Sequence, residues 1–308
     1  MEEIVPGVFR VTFALPFGID HVHCYLVASD DGWTVVDTGL GLPDARERWK
    51  RVLEGVDVAR IFITHFHPDH VGAAAEVAEL TAAPVLQGAV DYEQCRNAWG
   101  GGSTGVLAAY MRRHGLPDGE VERMRGEAGL LRAAVHAAPD PQPVDEGDSV
   151  DGWEVFHLPG HADGHLVLLR DDVLIAGDTI LTPITPTVGV YPNARENPLA
   201  DYLGSLRRIG ELAPRVALSG HGTPVEDPAG RARQIAAHHD KRLDQTAATL
   251  AEGPRSAYEA SLHVFPEPLS PVLRRFALAE TRAHLEYLVG QGAARRDDGG
   301  DVVVYAAS

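Results

Sequence analysis

Residues 64–73 read THFHPDHVGA, with three histidines and one aspartate inside six positions. The apolar run ARIFI precedes them and an alanine-rich stretch with helical spacing follows. His65 and His67 are one residue apart, so in an extended segment both can face the same way. Pro68 then turns the chain and sets Asp69 and His70 at the start of the helix. Neutral imidazole is the commonest metal ligand, and nitrogen-rich sets with a few carboxylates suit zinc. The chemistry these residue types favour is metal binding.

More ligand types lie far away in the chain at equivalent places. ARIFITH, WEVFHLPGH, VLIAGD and VALSGH are short apolar strands that end on or beside His65, His161, Asp178 and His221. In a packed α/β sheet the carboxyl ends of strands share one rim, where such residues would meet. The set divides in two: one metal on His65, His67 and His161, the other on Asp69, His70 and His221, with Asp178 bridging. The expected cofactors are two zinc ions, with iron or manganese as alternatives. Two ions roughly 3.5 to 4 Å apart can hold a bridging hydroxide as nucleophile and polarise an acyl or phosphoryl oxygen. Asp69 is the expected catalytic proton acceptor as well as a ligand. No serine or cysteine nucleophile is required.

Other histidines compete for these roles. In HADGH, His161 follows Pro-Gly at a strand end, whereas His165 opens the next strand and suits a supporting role. His21 and His23 form a second H-x-H, read either as a pocket wall or metal pair or, with more weight, as strand residues on a polar face. His238 and His239 sit mid-helix, where a satisfied polar face is the plainer reading.

The elements that would position these residues read as strands first (GVFRVTFAL, HVHCYLVAS, GWTVVDTG), then alternating strand and helix, an α/β pattern. A helical insertion spans about 91–140, with GGGSTG as a break and helices in VLAAYMRRHGL and VERMRGEAGLLRAAVHAA. Its Trp99, Leu107, Tyr110 and Met111 either close over an acyl chain or simply pack. The loop TPITPTVGVYPNAR offers Tyr191, Asn193 and Arg195 as possible substrate-pocket residues, with His23 beside them. After PVEDPAG come three helices and a hairpin around Asp-Gly-Gly, which suggests a winged-helix module. The predicted division is a catalytic domain over 1–228 and a C-terminal domain over 229–308.

Bulk properties narrow the partners. With 308 residues the chain can bury a large core, and two cysteines with no secretory pattern in MEEIVPGVFRVTF point to a soluble protein of the cytoplasm. No apolar run approaches the roughly 18 residues of a membrane span. A net charge of −17 disfavours nucleic acid as a partner, and residues 229–308 carry ten basic and ten acidic side chains, without a basic stripe. A small-molecule substrate, with docking or homodimerisation through the C-terminal domain, fits this balance.

THFHPDHVGA, LPGHADGH, AGDTI and SGHG, in that order, resemble the successive motifs of the metallo-β-lactamase fold superfamily, over about residues 1–225. The resemblance implies an αββα four-layer sandwich with metals at one rim, and it matches Asp37 of VVDTG to an aspartate that supports the ligands. It also implies that a carboxylate at Asp178, where true β-lactamases of the superfamily carry Cys or Ser, belongs with the glyoxalase II, lactonase, phosphotriesterase and ribonuclease branches. Flavodiiron members would carry Glu at His67, whereas the mononuclear iron persulfide dioxygenases share the histidines. The C-terminal module resembles the winged-helix appendage of a branch that includes an endoribonuclease. The expected function is hydrolysis of a small ester, thioester or lactone, with a phosphodiesterase or endoribonuclease as the alternative and a mononuclear iron persulfide dioxygenase behind it.

Overall fold

A computed structural model of the chain describes residues 1–16 and 18–308, and of Glu127 only the backbone. The elements begin β1 (Glu2–Val5), β2 (Val8–Ala14), β3 (His21–Ser29), β4 (Gly32–Val36), α1 (Ala45–Val52), β5 (Val58–Ile63), α2 (Pro68–Val71), α3 (Ala74–Thr81) and β6 (Val85–Gly88). The insertion supplies α4 (Ala89–Trp99), α5 (Ser103–Arg113) and α6 (Asp118–Arg132). Then follow β7 (Gln142–Val144), β8 (Ser149–Val150), β9 (Trp153–His157), β10 (Leu166–Arg170), β11 (Val173–Gly177), α7 (Pro198–Leu212) and β12 (Val216–Ser219). The chain closes with α8 (Pro228–Thr249), β13 (Arg255–Ser256), α9 (Ala257–Val264), α10 (Pro271–Gly290), β14 (Ala294–Asp297) and β15 (Val304–Ala307).

One sheet runs β1-β2-β3-β4-β5-β6-β7 and a second β12-β11-β10-β9-β8. Their facing sides share one apolar layer, with Tyr25, Val36 and Phe62 meeting Trp153, Leu168, Ile175 and Leu218. On the outer side of the first sheet, Cys24, Leu26, Ile61 and Ile63 pack against Trp49 and Val77 of the helices. The outer side of the second packs Leu174, Ala176 and Ala217 against Leu199, Tyr202, Leu206 and Ile235. Each central strand is therefore buried on both faces, which is why β3 and β5 read as continuous apolar runs. The result is the αββα sandwich.

Direction explains the site. β4, β5 and β6 are parallel, and β9 and β12 run with β11 because β10 is antiparallel to both its neighbours. The carboxyl ends of β4, β5, β9, β11 and β12 thus share one rim, and antiparallel β3 starts there with His21.

The insertion helices pack against the C-terminal part of the chain. Met111 and Met124 are fully buried in one cluster with Ala257, Leu278, Leu285 and Tyr305 of the C-terminal helices and hairpin, and the Tyr110 hydroxyl donates to the Val190 carbonyl. Packing absorbs these side chains. The C-terminal helices are joined by a three-stranded sheet of order β13-β15-β14, so the expected hairpin gains one short strand. α6 stops at Arg132, short of the expected Ala138, because the backbone beyond it bonds outward: Gly41 donates to Ala134, and His136 to Gly72. Among the described residues no helix is long and apolar enough to cross a membrane.

α8 and α10 meet through a buried histidine pair. His284 Nδ1 donates to the Glu280 carbonyl at 2.7 Å, so its Nε2 accepts from His239 Nδ1 at 3.2 Å. A second proton would set two N–H groups against each other. Burial, reinforced for His239 by His284, pulls their pKa values down to about 3 and about 4. Imidazoles held neutral in the fold take up protons when it opens, so stability is full above pH ~6.5 and declines as pH falls towards 4, by about 1.4 kcal/mol per pH unit for each ring. Urea unfolding between pH 7.5 and 4.5 is expected to show this slope, and His284→Gln to flatten it. A pH-independent midpoint would refute it.

Candidate metal centre

The shared rim gathers residues from both sheets. His65, His67 and His161 offer ligand atoms all within 4.8 Å of one another; so do His65, His70 and Asp178, and so do Asp69, His70 and His221. All seven residues named as ligands from sequence are thereby brought together, in three groups that overlap at His65 and His70. Asp178 stands between them: Oδ1 lies 3.4 Å from His70 Nε2, and Oδ2 lies 3.2 Å from His221 and 3.7 Å from His161.

Each of four rings is held by its outward nitrogen. His70 Nδ1 donates to Asp37 Oδ2 at 2.7 Å, and His65 Nδ1 to Thr64 Oγ1 at 2.9 Å, whose hydroxyl in turn donates to Asp37 at 2.8 Å. His161 Nδ1 donates to the Thr187 carbonyl at 2.8 Å and His221 Nδ1 to the His21 carbonyl at 2.7 Å. These bonds fix the tautomers and leave the Nε2 lone pairs facing inward, as metal-binding histidines require. His67 differs, turning Nδ1 toward His161 Nε2 at 2.8 Å.

Asp37 takes its place at a cost. Its φ of 60° is the left-handed region, sparsely used by side-chain-bearing residues but tolerated by Asp, and the Thr64 and His70 bonds hold it there. His165 stacks on His65 with centroids 4.5 Å apart and accepts from the Asp178 amide, so it supports two of the seven.

Whether these residues suit metal ions is decided by what they leave unpaired. His65 Nε2, His70 Nε2 and Asp178 Oδ1 are all buried without a hydrogen-bond partner. Such orphans are rare in folded proteins, and three aimed at one point match a cation pair. Charge agrees. Burial pulls His221 down, but Asp178 and Asp69 outweigh it and push it up to about 10, and Asp178 with Asp37 raise His70. Burial would raise Asp178, yet His221 and His70 hold it well below the usual carboxylate range. The carboxylates thus draw positive charge into a buried place. At the His65, His67 and His161 end, burial and mutual repulsion keep rings neutral, with His67 pulled to about 3. The donor set fits metal binding.

Of the suggested pocket residues, His23 and Arg195 are engaged within the chain, Tyr191 is packed with its hydroxyl unpaired, and Asn193 is exposed. His23 Nε2 donates to the Gly222 carbonyl at 2.9 Å and Nδ1 accepts from Thr12 at 3.0 Å, leaving no ring nitrogen for a substrate. Tyr191 packs into the cluster of insertion and C-terminal helices. Arg195 bonds Asp201 through its guanidinium at 2.7 Å and Asp163 through its amide at 2.8 Å, and Asn193 is exposed. Thr64 and the Thr187 carbonyl also orient ligands, though neither is among the residues singled out from sequence. Thr64 adjoins His65 and was within reach of sequence reasoning, but a backbone acceptor 26 residues from its histidine leaves no sequence signal.

With this geometry in hand, the comparisons agree. The metallo-β-lactamase superfamily model matches residues 17–221, and a model for the metallo-β-lactamase-like C-terminal domain matches residues 243–307. The chain belongs to the metallo-β-lactamase superfamily. A metallo-β-lactamase family protein from Thermus thermophilus superposes with a TM-score of 0.85 at 36% identity, covering 99% of this chain and 100% of that one. A probable metallo-hydrolase, YqjP, from Bacillus subtilis is 25% identical and spans 93% of each chain. Atrochrysone carboxyl ACP thioesterase from Passalora fulva is 24% identical over 90% of this chain and 74% of its own.

Two substitutions probe the centre. A Cβ on Gly220 would overlap Asp178 Oδ1 and lie 2.5 Å from His70 Cε1. Gly220→Ala is therefore expected to displace both side chains and abolish binding of at least one ion, measured by elemental analysis, with circular dichroism unchanged. Asp37→Asn sets an amide against the His70 N–H and is expected to weaken metal binding about 10- to 100-fold. Wild-type metal content in both would contradict the ligand assignment.

Proposed function

We propose that this chain is a dinuclear metal hydrolase of acyl substrates, with a thioester foremost. The observation that carries the reading is Asp178, a buried carboxylate with one oxygen toward His70 and the other toward His161 and His221. A carboxylate so placed could serve two ions. Two divalent cations, with zinc expected and iron or manganese as alternatives, would be held by the His65, His67, His161 group and the Asp69, His70, His221 group. When bound, they supply Lewis acidity and acidify water to near neutrality.

The rest falls to the chain itself. Asp69 Oδ2 lies 3.3 Å from His221 Nε2, and although burial raises this carboxyl, the His221 bond and the charge of His70 hold it below the usual range. It is ionised at neutral pH and placed to accept the proton of an attacking water. Attack forms a C–O bond at the acyl carbon and breaks the C–S bond, and the Asp69 proton passes to the departing thiolate. Neither cysteine competes as a nucleophile: Cys24 and Cys95 are buried, and burial raises both thiols, Cys95 to about 12.

Support for the acyl class comes from the thioesterase among the relatives and from the net charge of −17, which repels a phosphate backbone. The test assays purified protein on acyl thioesters, lactones, phosphodiesters and RNA, before and after chelation. Thioester turnover is expected, lost on chelation and restored by zinc, iron or manganese. Asp69→Asn is expected to lower kcat about 10²- to 10⁴-fold with little change in KM. Turnover of RNA or phosphodiesters alone would move the chain to the nuclease branch, and turnover unaffected by chelation would end the reading.

A further inference from the structure

The segment from Leu181 to Tyr191 contains neither helix nor strand, only an isolated bridge from Thr182 to Gly222. It nevertheless touches three ligand-bearing regions. It follows Asp178, bridges to the neighbour of His221, and provides the Thr187 carbonyl that orients His161 at 2.8 Å. A loop with two prolines and so little pairing of its own has many conformations open to it. A carbonyl at its middle holds a fixed place only if something else restrains both ends.

The restraint comes from outside the two sheets. At the first end, Arg231 on α8 donates from Nε to the Leu181 carbonyl at 2.7 Å, and from one terminal nitrogen to Pro183 at 2.8 Å and Ile184 at 2.7 Å. At the second end, the Val190 amide donates to the Ala279 carbonyl of α10 at 3.2 Å, and the Val190 carbonyl accepts from the Tyr110 hydroxyl of α5. That hydroxyl in turn accepts from Arg282 of α10, which pairs with Glu286 at 3.3 Å. The loop is seated closely enough that a Cβ on Gly189 would lie 3.0 Å from the Ala279 Cβ. Between the clamps Val188 is fully buried.

We infer that α8, α10 and α5 are positioning elements of the metal centre: through Arg231 and Tyr110 they fix the Leu181–Tyr191 loop, so that the Thr187 carbonyl holds His161 as the Nδ1–H tautomer with Nε2 facing inward. The inference rests on the proposed metal reading. It assigns the C-terminal helices a part in the site, where sequence alone suggested a docking or dimerisation module. Arg231 and Tyr110 touch neither ion nor substrate and act through the loop and His161.

The test uses the full chain with Arg231→Met and Tyr110→Phe, each of which keeps most of the side-chain volume and removes the polar groups. Leu250→Ala is the control: it opens the buried C-terminal core just past the end of α8, roughly 28 Å from Arg231 at about 1.5 Å per residue. Two readouts are taken: cobalt(II) titration, by calorimetry and the visible spectrum, and the His161 tautomer in metal-free protein by long-range proton–nitrogen NMR. The two clamp variants are expected to weaken one of the two ions by about 10-fold or more. They should alter its cobalt spectrum, leave the other ion unchanged, and mix the His161 tautomers. Leu250→Ala should lower Tm with both ions and the tautomer as in wild type. Clamp variants with wild-type titration and a single Nδ1–H tautomer would overturn the inference, as would equal weakening in Leu250→Ala. Wild-type protein that binds no cobalt would overturn the metal reading instead, and the tautomer readout would still decide the clamp.

Discussion

Asp178 sets the demand that the surrounding fold has to meet. It is buried, ionised and shared by three histidines, and an isolated carboxylate in such a place costs several kcal/mol unless positive charge meets it. The imidazoles that face it come from different sheets. His65, His67 and His70 follow β5 on the first, while His161 and His221 follow β9 and β12 on the second. Only the apolar layer between the sheets, with Phe62 against the second-sheet side chains, brings those ends to one rim. The hydrophobic contact is non-directional and large, and it sustains a polar arrangement that would not assemble on its own.

Orientation is a separate task, performed by hydrogen bonds. Asp37 anchors two rings, one directly and one through Thr64; the His21 and Thr187 carbonyls anchor one each. The rings thus keep their lone pairs inward, so little conformational entropy remains to be lost when a cation arrives. The two ends of the centre differ in charge as a result. One, near the carboxylates, attracts protons or cations, and the other stays neutral.

Sequence carried the first task well and the second poorly. His65, His161, Asp178 and His221 were legible because each closes an apolar strand, and strand direction in such a fold puts those closings together. Asp37 was legible only through the family resemblance, since an Asp-Thr-Gly after a strand reads equally as a turn. The Thr187 carbonyl was beyond reach, because a backbone group has no residue type. Tyr191 and Met111 read from sequence as possible pocket or lid residues; their apolar bodies pack against C-terminal helices that lie remote in sequence. β1, β7 and β8 are short edge strands with little periodicity to read.

Under the dinuclear proposal the gathered side chains hold a pair of cations on either side of Asp178. The decisive measurement is anomalous diffraction from crystals of metal-replete protein. Two peaks roughly 3.5 to 4 Å apart are expected, one beside His65, His67 and His161 and the other beside Asp69, His70 and His221. A single peak remote from Asp178, or none in protein purified from metal-supplemented growth, would contradict it.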